Sequence, residues 1–91
     1  MSEPKLRRSE HDGLVWRVFE DEVLALDMER STYLRLNRSG TVLWALLADG
    51  ATRSQLIDAL TERFEVEPDE AAADVDAFIA ACRERGLLRD A

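Results

Sequence analysis

The 91 residues suffice for one domain with one modest core, and 46% hydrophobic with 34% charged residues is a globular composition rather than a disordered or fibrous one. A formal net charge of −7 argues against nucleic acid and anionic membrane as electrostatic partners. The first residues lack the apolar stretch of a secretory signal, no run of about 18 apolar residues occurs, and the single cysteine, Cys82, can close no internal disulfide, so a reducing, cytoplasmic setting is expected.

Positions 1–13 carry three basic and three acidic side chains, with Leu6 the one sizeable apolar group after Met1. Such a segment has little to bury and is expected to be a mobile arm, with the folded domain running over 14–91. Residues 14–19 (LVWRVF) and 23–28 (VLALDM) are rich in Val, Leu and aromatics around the polar Glu20-Asp21-Glu22, which predicts a hairpin. The third segment, Thr32-Tyr33-Leu34-Arg35-Leu36, alternates: Leu34 and Leu36 belong to one face, Tyr33 and Arg35 to the other.

After Asn37 the period lengthens to about 3.6. Ser39 is the expected N-cap of a short apolar helix carrying Val42, Leu43, Trp44, Leu46 and Leu47 and ending at Asp49-Gly50. Thr52 and Gln55 have capping-box spacing, and Leu56, Ile57, Leu60 and Phe64 form the stripe of a second helix. Pro68 suits the first turn of a third, Asp69 and Glu70 favour its N-terminal dipole, and Gly86 closes it before Leu87-Leu88 return to the core. Ala71, Ala72, Val75, Phe78, Ile79 and Cys82 fall in one sector of this helix, flanked by Asp74 and Arg85 on one side and Asp76 and Arg83 on the other. The expected fold is α+β and winged-helix-like: a three-stranded antiparallel sheet followed by three helices on one face.

Catalytic equipment is sparse. His11 lies in the polar arm as an expected bystander and Cys82 on an apolar helix face, so they make neither a nucleophile–base pair nor a metal cluster. The carboxylates are explained by a turn and by helix starts, and the four isolated glycines make no phosphate loop. No enzyme activity, cofactor or metal is expected. A winged-helix DNA-binding protein is the alternative from another class, because residues 50–64 resemble the first helix of a helix-turn-helix. Residues 68–85 weigh against it: five acidic and two basic side chains give net −3 where a major-groove helix needs Arg, Lys, Asn or Gln. The last strand of a three-strand sheet is an edge, and an edge is a template for an extended peptide.

The stretch from Val23 to Leu88 resembles the PqqD-like recognition elements of peptide-modifying pathways, above all the stand-alone B1 proteins of lasso-peptide biosynthesis. The resemblance is carried by Leu26-Asp27, Tyr33-Leu34-Arg35-Leu36-Asn37, Gly40 through Leu47 with Trp44, Gly50-Ala51-Thr52, Leu56, Leu60, Phe64-Glu65-Val66, Asp74-Val75, Phe78-Ile79 and Gly86-Leu87-Leu88. It implies that the leader of a ribosomally made precursor adds as a strand to Thr32–Leu36 and lies toward the third helix, where Val75, Phe78, Ile79 and Cys82 meet its apolar side chains and Asp74 or Asp76 a basic one. It further implies delivery to a separate leader-cleaving cysteine protease (B2 type) or, in the PqqD manner, to a radical-SAM enzyme. Strand-to-strand hydrogen bonds of about 0.5 to 1.5 kcal/mol each, set against about 2 to 5 kcal/mol for ordering the leader, require apolar anchors for micromolar to nanomolar affinity.

Overall fold

In the computed structural model, which describes residues 3–90, strands β2 (Leu14–Phe19) and β3 (Glu22–Asp27) form a hairpin around Glu20-Asp21, and β4 (Thr32–Leu36) pairs with β3. The sheet is antiparallel with order β2-β3-β4, so β4 is an edge, as expected of the last strand of a three-strand sheet. Glu20 accommodates the tight hairpin with φ of +60°.

Side-chain alternation divides the sheet into two faces. Val23, Ala25 and Leu36 point into the core, whereas Leu24, Leu26, Tyr33 and Arg35 point away from the helices. Three helices cover the inner face: α1 (Arg38–Leu46), α2 (Arg53–Arg63) and α3 (Pro68–Glu84). Leu43, Trp44 and Leu47 around α1, Leu56 and Leu60 of α2, and Ala71, Val75, Phe78 and Cys82 of α3 complete the core. The α3 set repeats every three to four residues, the spacing that keeps one side of a helix buried. The predicted α+β order of sheet and helices is therefore present.

Local signals also set the helix ends. The capping box at α2 is complete: the Gln55 amide donates to Thr52 Oγ1 (3.1 Å) and the Thr52 amide to Gln55 Oε1 (2.9 Å). Helix α1 is capped two residues earlier than expected. Asn37 is the N-cap, and its Oδ1 accepts from the Gly40 amide (2.9 Å) and from the Ser39 hydroxyl (3.0 Å). Ser39 thus supports the cap rather than forming it, because the chain turns directly from β4 into the helix. Gly40 packs closely under that turn: a Cβ there would stand 3.1 Å from Leu36 Cβ, and the strand end would have to give by a few tenths of an ångström.

The expectation of a mobile arm over 1–13 is corrected for the described residues. Leu6–Arg8 form a strand, β1, paired antiparallel with β5 (Leu88–Asp90), and Leu6 also bridges Ala51 through paired backbone bonds of 2.8 and 2.9 Å. Leu6 is only 4% exposed, so one apolar side chain buried between distant segments, together with satisfied backbone groups, holds the segment. Arg8 adds a stacked contact: its guanidinium carbon lies 4.5 Å from the Trp16 ring centroid and 5.4 Å from that of Trp44, and the two indoles meet edge-on at 6.0 Å. Positions 1, 2 and 91, included in the expected arm and domain, lie outside the described residues.

His11 is likewise no bystander. Its Nε2 lies 3.0 Å from Oδ2 of Asp27, which is 1% exposed at the end of β3. The other Asp27 oxygen accepts from the Glu29 and Arg30 amides at 3.1 and 3.2 Å. Burial alone would raise this carboxyl, but the hydrogen bonds from Arg30, His11 and Glu29 outweigh it and hold the group below the usual aspartate value.

Candidate functional site

An antiparallel strand turns the N–H and C=O of each residue to the same side, alternating along the chain. The Tyr33 carbonyl accepts from Nε of Arg85 (2.9 Å), which follows α3, so the Tyr33 backbone groups face away from β3, and so therefore do those of Arg35. These residues supply the outward backbone groups of the β4 edge. The Arg35 side chain leaves the edge clear by lying across the outer sheet face, where its guanidinium grips both Glu22 carboxylate oxygens (3.0 and 3.2 Å).

Beside this edge runs a cleft of about 370 Å³ bounded by β4, the start of α1 and one flank of α3. Leu34 and Leu36 line the strand side, Phe78, Ala77 and Ala81 the helix side, and Leu43 and Leu60 the floor between them. Asn37, Ser39 and Asp74 line this cleft and also an adjoining hollow that leads to Phe64 and Val66. The shape is an open, mixed groove with a hydrogen-bonding edge along one wall, suited to an extended chain rather than to a small enclosed substrate.

The structure divides the residues that the sequence placed on this surface. Thr32 to Leu36 form the edge strand, and Asp74 and Phe78 reach the cleft. Val75 and Cys82 are 0% exposed and belong to the interior, while Ile79 packs against the core rather than lining the groove. The division follows from the rotation of α3: Asp74, Ala77, Phe78 and Ala81 share the flank beside β4, and Val75 and Cys82 turn beneath it. Ala77 and Ala81 escaped notice because alanine on a helix carries no chemical signal, yet their small side chains leave the groove open. In the sequence Asn37 marks only the end of the alternating segment, Ser39 a cap, and Leu43 and Leu60 apolar helix stripes.

The two flanking aspartates also separate. Asp76 is gripped by Arg53 in a bidentate pair (2.7 and 3.0 Å), a hydrogen bond and charge that lower its carboxyl below the usual value. Asp74, on the cleft, has no ion-pair partner among the described residues.

The groups with catalytic potential are occupied otherwise. Burial pushes the Cys82 thiol up to about 12, well away from thiolate chemistry, and His11 is engaged with Asp27. Among the described residues no group of three His, Cys, Asp or Glu has the arrangement to hold a metal, and no helix is long and apolar enough to cross a membrane.

The outer face of the sheet is a second notable surface. Phe19 is 76% exposed and Tyr33 65%, and Val15, Leu24 and Leu26 lie on the same face. One wall of the cleft and this apolar face thus share the strand β4.

Known proteins bear on this arrangement. No curated protein matches the sequence. Among solved structures, one described as TbiB1 in complex with the TbiA(beta) leader peptide superposes with a TM-score of 0.78 at 28% identity, covering 91% of this chain and 94% of that one. A second, described as lasso peptide synthetase B1 complexed with the leader peptide, superposes with a TM-score of 0.76 at 23% identity, over 92% and 96% of the two chains, and supports the fold. The family model for coenzyme PQQ synthesis protein D (PqqD) matches residues 22–88, which include the whole of β3, β4 and the three helices. The chain belongs to the PqqD family.

Proposed function

We propose that this protein captures the leader of a ribosomally made precursor, of the lasso-peptide type, by strand addition to β4, and presents it to a separate leader-cleaving protease. The observation that carries the reading is the coincidence of a sheet-edge strand with a cleft lined by Leu34, Leu36 and Phe78. An incoming strand would exchange backbone hydrogen bonds with Tyr33 and Arg35 while its alternate side chains enter the cleft. Support from relatives is direct in kind: the TbiB1 structure contains a leader peptide on the same fold.

Specificity would then come from the apolar cleft and from Asp74, the carboxylate free to receive a basic leader side chain. The protein works as a binder, without a chemical step of its own, in keeping with a deeply buried thiol and a histidine held by Asp27. Leader addition at the edge would leave the outer face of β2, β3 and β4, with its exposed Phe19 and Tyr33, uncovered. A single buried cysteine suits a cytoplasmic setting for these steps.

The test is titration of the purified protein with a synthetic peptide of the precursor leader encoded beside its gene, with duplex DNA in a parallel arm. Saturable binding of the peptide at micromolar or lower concentration, and salt-sensitive weak binding or none to DNA, is the expected result. Absence of saturable peptide binding refutes the proposal.

A further inference from the structure

The β4 edge is not fully open. Arg85, the C-cap residue that follows α3, donates from Nε to the Tyr33 carbonyl (2.9 Å) and from Nη1 to the Ala81 carbonyl (3.2 Å). One planar guanidinium therefore bridges strand and helix beside the Ala81 end of the cleft and occupies an outward acceptor of the edge. The bond joins residues 52 positions apart and is made by the side chain, so it is no part of the helix's own capping. The Glu84 carboxylate, 80% exposed, lies 3.8 Å from Nη1 as a further, solvent-screened partner of the guanidinium.

The geometry points to Arg85 as a built-in competitor of the leader: it caps the Tyr33 carbonyl in the free protein and must surrender it when the leader strand adds. This rests on the leader-binding reading of the same cleft. Two consequences of the cap follow from its position. An unoccupied edge carries one acceptor fewer for pairing with a second copy, which guards against edge-to-edge association. And a peptide that fails to supply an N–H opposite Tyr33 gains nothing for displacing Arg85, so the contact favours a leader whose strand extends to this end of β4 over one that ends short.

Arg85→Ala and Arg85→Gln test the idea with a fluorescein-labelled synthetic peptide of the encoded leader, read by anisotropy. A net hydrogen bond of ordinary strength removed from the competing state tightens the peptide dissociation constant by about two- to tenfold. The tightening is expected to persist at about 1 M salt, where the screening length is about 3 Å and a mere change of net charge no longer acts. The wild-type protein supplies a second readout that requires no variant: in nitrogen–proton NMR spectra the Arg85 Nε–H is expected to be protected from exchange and to lose that protection when the peptide is added. Variants that bind equally or more weakly, a tightening that vanishes at high salt, or an Nε–H that keeps its protection in the complex overturns the competition alone. Wild-type protein with no saturable peptide binding overturns the function and the competition together.

Discussion

Ala77→Trp blocks the proposed binding groove while leaving the fold in place. Ala77 is exposed on α3 between Asp74 and Ala81, and it lines the cleft without contributing to the core. Replacing alanine by tryptophan in the middle of a helix costs at most about 0.7 kcal/mol of propensity, and a surface change of this kind usually moves stability by no more than about 0.5 kcal/mol. The indole, however, enters a groove of about 370 Å³ opposite Leu34 and Leu36 and takes the room of an apolar leader side chain. Such an anchor contributes about 1.5 to 3 kcal/mol on burial, so its exclusion raises the dissociation constant roughly 10- to 100-fold. The assay is anisotropy or calorimetry with the leader peptide, paired with a thermal melt of the free variant. A variant that melts within a few degrees of the wild type and binds the peptide equally well refutes the placement of the peptide between β4 and α3.

Three further outcomes follow from the structure. Gly86 closes α3 at φ of +69°, and a Cβ there would lie 2.3 Å from Arg30 Nη1, so Gly86→Ala is expected to cost about 1 to 2 kcal/mol and to lower the melting midpoint by roughly 4 to 15 °C; an unchanged midpoint contradicts the strain argument. The Asp27 carboxyl is held below its ordinary value, so its contribution to stability is present above about pH 4, the unfolded value, and is lost as pH falls through the lower folded value; denaturant titrations of wild type and Asp27→Asn between about pH 2 and 6 are expected to show a weaker acid dependence in the variant, and parallel curves disprove the role of the His11 and backbone contacts. Cys82, buried and with its thiol pushed up to about 12, is expected to resist a thiol reagent in the native protein and to react fully in denaturant; prompt stoichiometric labelling without denaturant contradicts its burial.

Strand β4, helix α2 and the stripe of α3 were legible in the residues themselves. Alternation of period two in Thr32–Leu36, the Thr52–Gln55 box and apolar spacing of three to four between Ala71 and Cys82 are short-range patterns, set by backbone geometry within a few residues. They set the order of elements and the half-buried character of β4. Net acidity and the composition of α3 likewise belong to the sequence alone.

The site in detail belongs to the tertiary structure. Only the docking of α3 decided that Asp74, Ala77, Phe78 and Ala81 flank β4 while Val75 and Cys82 lie inside, because a wide apolar stripe is compatible with several rotations of its helix. Only long-range pairing decided that Leu6–Arg8 are structured, that His11 meets Asp27 and that Arg85 reaches the Tyr33 carbonyl. Each joins segments that share no local pattern, and a three-residue strand or a single hydrogen bond across the fold leaves no periodicity in the chain to be read. The strand whose edge is proposed to take the peptide is thus written in the sequence, whereas the bond from Arg85 to its Tyr33 carbonyl exists only once the chain has folded.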